Sequence, residues 1–119
     1  MIFIIGGAFQ GQKEYAILHY PEKLRIEDVH QQIFHWMQEG KDTRQEIEKL
    51  ICYAKEKDAV ILTNEIGYGI VPEDAFLRKY REEVGRLCCL IAAEADLVIR
   101  VVAGIGVVIK EKAAFGKEG

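Results

Sequence analysis

Apolar residues fall along this chain in two kinds of spacing, and the alternation between them sets out its elements. Ile2 to Ile5 and Ala59 to Thr63 are short, almost unbroken apolar runs rich in β-branched residues, as expected of strands buried on both faces of a parallel sheet. Ile47, Leu50, Ile51 and Ala54 recur at helical spacing behind Thr43-x-x-Glu46, which matches a capping box, so a helix is expected from Thr43. Phe76, Tyr80, Val84, Leu87, Ile91 and Ala95 trace one face of a long helix reaching from Pro72 to about Ala95. Pro72 suits its first position, and Glu73 and Asp74 suit the positive end of its dipole.

Val29, Ile33, Trp36 and Met37 predict another helix from Glu27, stopped by Gly40. A shorter one is expected over Gln12 to Leu18, and a brief strand over Leu24 to Ile26. Leu97 to Ala103 reads as a further buried strand interrupted by Arg100, after which Gly104-Ile105-Gly106 turns the chain and Val107 to Ile109 returns it as an antiparallel edge hairpin. Strands alternating with helices predict an α/β fold around a mostly parallel sheet. Its 119 residues hold one core and are too few for two ordinary domains, so residues 1–110 are expected to form one unit and 111–119 a flexible tail.

Two connections stand out against this regular background. The first strand runs straight into Gly6-Gly7-Ala8-Phe9-Gln10-Gly11-Gln12-Lys13, where Gly6 and Gly11 keep the separation of a phosphate loop, Gly-x-x-x-x-Gly-Lys-Ser/Thr. In that motif backbone N–H groups surround the phosphates, the lysine neutralises charge and the hydroxyl holds magnesium. Here Gln12 takes the lysine position and Lys13 the hydroxyl position. Neighbouring helical residues point about 100° apart, so Lys13 reaches a phosphate only if the loop is rearranged; otherwise it is a solvated surface lysine. The backbone N–H groups of the following helix remain available to an anion in either case.

The second connection is Asn64-Glu65-Ile66-Gly67-Tyr68-Gly69, just past the carboxyl end of the Ala59 strand, where open α/β sheets bind ligands. Gly67 and Gly69 permit a specified loop shape, and Asn64 and Glu65 have both a ligand-binding reading and a local one.

Composition narrows the function classes. Sixteen basic against nineteen acidic side chains give a formal charge of −3, which excludes a general pull toward nucleic acid or anionic membrane and leaves phosphate recognition to local groups. Cys52, Cys88 and Cys89 lie in helical apolar patterns without metal-ligand spacing, and His30 and His35 are five apart, so no metal site is expected. The first residues lack a basic leader pattern, and no apolar run approaches the ~20 residues of a membrane span, so the cytoplasm is the expected location.

Asn64-Glu65-Ile66-Gly67-Tyr68-Gly69-Ile70-Val71-Pro72-Glu73, with Arg78-x-x-Arg81, Gly85-Arg86-Leu87, Ala92-Ala93-Glu94-Ala95-Asp96 and Val101-Val102-Ala103-Gly104-Ile105, resembles the bifunctional adenosylcobinamide kinase/adenosylcobinamide-phosphate guanylyltransferase family of cobalamin biosynthesis. The resemblance is close over roughly residues 59 to 110 and loose over 1 to 18, where Gly6-Gly7-Ala8 is similar to the family's phosphate loop. It implies a three-layer, RecA-like P-loop fold, often trimeric, that binds GTP or ATP with Mg²⁺ and a corrinoid substrate. It also implies a nucleotide site over Gly6, Gly7, Ala8, Gly11, Gln12, Lys13, Asn64, Gly67 and Gly69, with Glu65 and Lys13 as the catalytic candidates. The sequence departs from the family at Gln12 and Lys13, lacks a counterpart of the nucleotide-accepting histidine-arginine segment, and offers Asp28 for the magnesium-binding aspartate. Those departures imply binding with reduced or no turnover. The alternatives are a working kinase that recruits Lys13, or an oligomer-forming interaction subunit that uses the apolar face from Phe76 to Ile91.

Overall fold

The computed structural model describes residues 1–66 and 74–112. Five strands, β1 (Ile2–Gly6), β2 (Arg25–Ile26), β3 (Val60–Asn64), β4 (Leu97–Val102) and β5 (Ile105–Glu111), form one sheet in the order β2-β3-β1-β4-β5. All neighbours are parallel except the β4–β5 hairpin. The strands that read as continuous apolar runs are the central ones: β1 lies between β3 and β4, and Phe3, Ile4, Val60 and Ile61 are fully buried.

The helices make the outer layers of a three-layer fold. On one face α2 (Val29–Gln38), α3 (Thr43–Lys57) and α4 (Ala75–Glu94) pack Ile33, Ile47, Leu87 and Ile91 against Phe3, Ile61 and Val98. On the other, α1 (Gln12–His19) sets Ala16 and Tyr15 against Ile4, Leu62 and Ile99. The apolar stripe predicted for α4 is thus mostly internal, with Val84, Leu87 and Ile91 buried and Leu77 and Cys89 left outside.

Three of the boundaries that differ from expectation have a visible cause. The cap of α3 is Asp42, whose carboxylate accepts from the Gln45 N–H at 3.1 Å, while the Thr43 hydroxyl donates to Glu83 on α4. A distant carboxylate has taken the hydroxyl that the capping box would have used. Helix α4 begins at Ala75 behind Asp74, which accepts from the N–H groups of Phe76 and Leu77; Pro72 and Glu73 lie outside the described residues. Finally, Ala103 (φ 50°) and Gly104 (φ 78°) alone turn the hairpin, since Val102 already pairs with Ile105. Positive φ at both central residues is the signature of a type I′ turn. Strand β5 then continues through Lys110 and Glu111, past the expected return at Ile109. Lys110 is ordered there because its ammonium caps α4, donating to the carbonyls of Ala92 and Ala93 at 3.0 Å each.

Candidate functional site

The chain leaves the adjacent strands β1 and β3 in opposite senses, through α1 on one face and α4 on the other. Such a switch point opens a crevice beyond the carboxyl ends of the two strands. Gly6 pairs with Asn64 in the β1–β3 register, so the two connections singled out in the sequence emerge on the same rim. A cleft of about 200 Å³ lies there, lined by Phe9, Gly11, Gln12, Lys13, Glu14, Glu27, Asp28 and the Leu62–Asn64 end of β3.

Gln12 decides what kind of loop this is. Its side chain is buried, and its Nε2 lies 2.8 Å from the Gly6 carbonyl, 3.0 Å from the Gly7 carbonyl, 3.0 Å from Asn64 Oδ1 and 3.4 Å from the Thr63 carbonyl. Four oxygens thus surround a nitrogen that has two hydrogens to give. The interior is shaped for a donor, and an ammonium with three hydrogens would fit this cradle. Two carbonyls of the glycine turn therefore face inward, while the first N–H groups of α1 meet no side-chain cap at Gly11 (φ 96°). Gly6 is required at the base of the cradle: a Cβ would stand 2.5 Å from the Val101 carbonyl oxygen.

The two catalytic candidates are both engaged. Lys13 reaches into the cleft wall, where its ammonium is 3.4 Å from Glu27, whose other carboxylate oxygen accepts from Arg25 at 3.1 Å. Arg25 first, and then Lys13, hold the Glu27 carboxyl below its usual range. Glu65 points away from the cradle on the α4 side, paired with Arg100 of β4 at 3.2 Å, and its N–H donates to the Gly6 carbonyl at 2.7 Å. The structure brings Gly6, Gly7, Ala8, Gly11, Gln12, Lys13 and Asn64 to one rim, whereas Gly67 and Gly69 lie outside the described residues. Among the described residues no three His, Cys, Asp or Glu side chains converge as metal ligands.

His30 is buried and positions Asn64. Its Nδ1 accepts from the Asn64 backbone N–H at 3.2 Å and lies 3.3 Å from the Thr63 hydroxyl, which in turn accepts from the His30 N–H. Tyr80 on α4 donates to the His30 carbonyl at 2.8 Å. An Nδ1 that accepts carries no proton, so the ring is held neutral, and burial lowers its pKa below 6.5. With the folded pKa depressed, the unfolded chain takes up more protons as pH falls below 6.5. Stability is expected to be complete above that pH and to decline below it, and the decline should be smaller in His30→Gln when urea midpoints are measured from pH 7.5 to 5. The sequence clue to this network was Thr63, a lone hydroxyl in a buried strand that required a partner.

The family model for cobinamide kinase / cobinamide phosphate guanyltransferase matches residues 22–109. The chain belongs to this family. It is 48% identical over 67 residues to the bifunctional adenosylcobalamin biosynthesis protein CobU of Salmonella typhimurium strain LT2, a stretch covering 55% of this chain and 37% of that protein. It is 46% identical over 67 residues to the protein of the same name from Escherichia coli strain K12, with the same shares covered. The match therefore spans little more than a third of the curated relatives' length. The Gly6–Lys13 loop falls outside the residues that the cobinamide kinase family model matches. No described helix is long and apolar enough to cross a membrane.

Proposed function

We propose that this protein is an adenosylcobinamide kinase/guanylyltransferase-like member of cobalamin biosynthesis. It binds a purine nucleotide, GTP or ATP, with or without a corrinoid intermediate at the β1–β3 rim, and turns it over slowly or not at all. The observation that carries this reading is Gln12, whose amide fills the centre of the loop while the neighbouring ammonium of Lys13 is drawn to Glu27. Phosphoryl transfer depends almost entirely on positioning and charge stabilisation. Loss of one preorganised donor costs roughly 10²–10³ in rate. The cleft can still offer the first-turn N–H groups of α1 and the half-exposed Lys13 to phosphates. For a bound Mg²⁺ the cleft retains Asp28 in its lining, but Lys13 stands in the hydroxyl position and the adjacent Glu27 is held by Arg25 and Lys13, so the ligand set is incomplete.

Calorimetric titration with GTP, ATP and cobinamide, with and without Mg²⁺, paired with a turnover assay, tests the proposal. Binding without phosphorylation is expected. Turnover that disappears in Lys13→Ala would instead establish a working kinase. The protein is further proposed to act in the cytoplasm as a homo-oligomer, a trimer by family resemblance. The oligomer is supported by an edge strand β5 that leaves Ile105, Val107, Val108 and Ile109 each more than half exposed. Light scattering on the same samples reports the assembly.

A further inference from the structure

Phe9 sits at the mouth of the cleft under two unfavourable conditions at once. Its backbone is left-handed at φ 61°, a conformation in which bulky side chains are outliers, and its side chain is fully exposed at 104%. A single exposed aromatic residue is ordinary, but one held out on a strained backbone is not. The pose is also fixed. The next residue, Gln10, is tied to the β4–β5 turn by its carbonyl, which accepts from the Gly104 N–H at 2.8 Å, and by its Oε1, which accepts from the Ala103 N–H at 2.7 Å. Gln10 Nε2 also reaches back to the Ala8 carbonyl at 3.4 Å. The loop therefore presents a flat apolar ring to solvent beside the α1 N–H groups, Lys13 and Asn64.

We infer that Phe9 is a stacking platform for the purine base of a nucleotide whose phosphates lie against the start of α1. This rests on the nucleotide-binding reading given above and adds a residue that grips the base. Every purine offers a π-face, and stacking on an exposed aromatic ring needs no hydrogen-bond partner from the protein, so the platform serves GTP and ATP alike. Phe9 lines the same cleft as Gly11, Lys13 and Asn64 with its ring exposed, so a base attached to phosphates held there has an apolar face to lie on.

Phe9→Gly and Phe9→Trp separate this role from damage to the fold. Glycine adopts φ 61° without strain, so Phe9→Gly is expected to melt no lower than the parent protein while its affinity for GTP and ATP falls on the order of tenfold. Phe9→Trp should keep the affinity, and inorganic tripolyphosphate, which has no base, should bind all three proteins equally. Equal GTP affinity in the parent and Phe9→Gly overturns the inference and leaves nucleotide binding standing. So does an equal loss for tripolyphosphate, which would assign the effect to the loop, or a loss confined to cobinamide. A lower melting temperature in Phe9→Gly overturns it as well, since the ring would then be packing on the protein. If the parent protein binds neither nucleotide nor tripolyphosphate, the nucleotide reading fails and the platform with it.

Discussion

Gln12→Glu, which exchanges one amide nitrogen for an oxygen, is expected to destabilise the fold by about 3 kcal/mol or more at neutral pH. The substitution removes both donors from a buried position ringed by the oxygens of Gly6, Gly7, Thr63 and Asn64, and it places a negative charge among their lone pairs. The size of the side chain hardly changes, so the loss is electrostatic and has a pH signature. A carboxyl in that ring has its folded pKa raised above the ordinary ~4.3 of glutamate. The variant should therefore approach the parent protein below that pH, where its carboxyl is protonated in both states, and fall away from it as pH rises. Gln12→Lys is the matching control, because an ammonium brings three donors to four acceptors and should hold the loop together. Urea midpoints of the three proteins at pH 4 and 7 read both effects. A glutamate variant as stable as the parent at pH 7 would show that the cradle does not depend on a donor.

Gly6→Ala is expected to cost about 3 kcal/mol, the upper end of the usual overpacking penalty, and to lower the melting temperature by roughly 10 °C. The added methyl group would meet the main-chain oxygen of Val101 at 2.5 Å and the Gln12 amide at about 3.1 Å. Val101 belongs to β4, which pairs with β1 from Leu97 to Val101, so the clash is relieved only by parting the two strands at the rim. Thermal unfolding followed by circular dichroism measures the loss, and a shift under 2 °C would mean that the rim is looser than its hydrogen bonds indicate.

Much of the framework was legible because it is written in local periodicity. Ile2–Ile5 and Ala59–Thr63 announce central strands, and Ile47, Leu50, Ile51 and Ala54 announce a helix, since in each case burial of the pattern requires that element. The placement of Gly6 and Asn64 on one rim was also expected and is found. What the chain hides are choices settled by distant partners. Thr43 looks like a cap until Glu83 takes its hydroxyl, and Gln12 looks like a missing lysine until Asn64, 52 residues away, closes the ring around it. His30 sits beside the apolar stripe of its helix, and only Thr63 and Asn64 draw it inward.

The stapling of Gln10 to the hairpin turn has a consequence for the order in which the molecule is made. The bond from Ala103 to Gln10 spans 93 positions, and β1 itself has only β3 and β4 for neighbours. Helices α2 and α3 can organise from nearby residues, whereas the glycine turn must wait for chain ends that are far apart to meet, the slowest kind of closure in a small domain. The glycine turn, which precedes β4 and β5 by about 90 positions, is thus among the last parts of the sheet to take its final form.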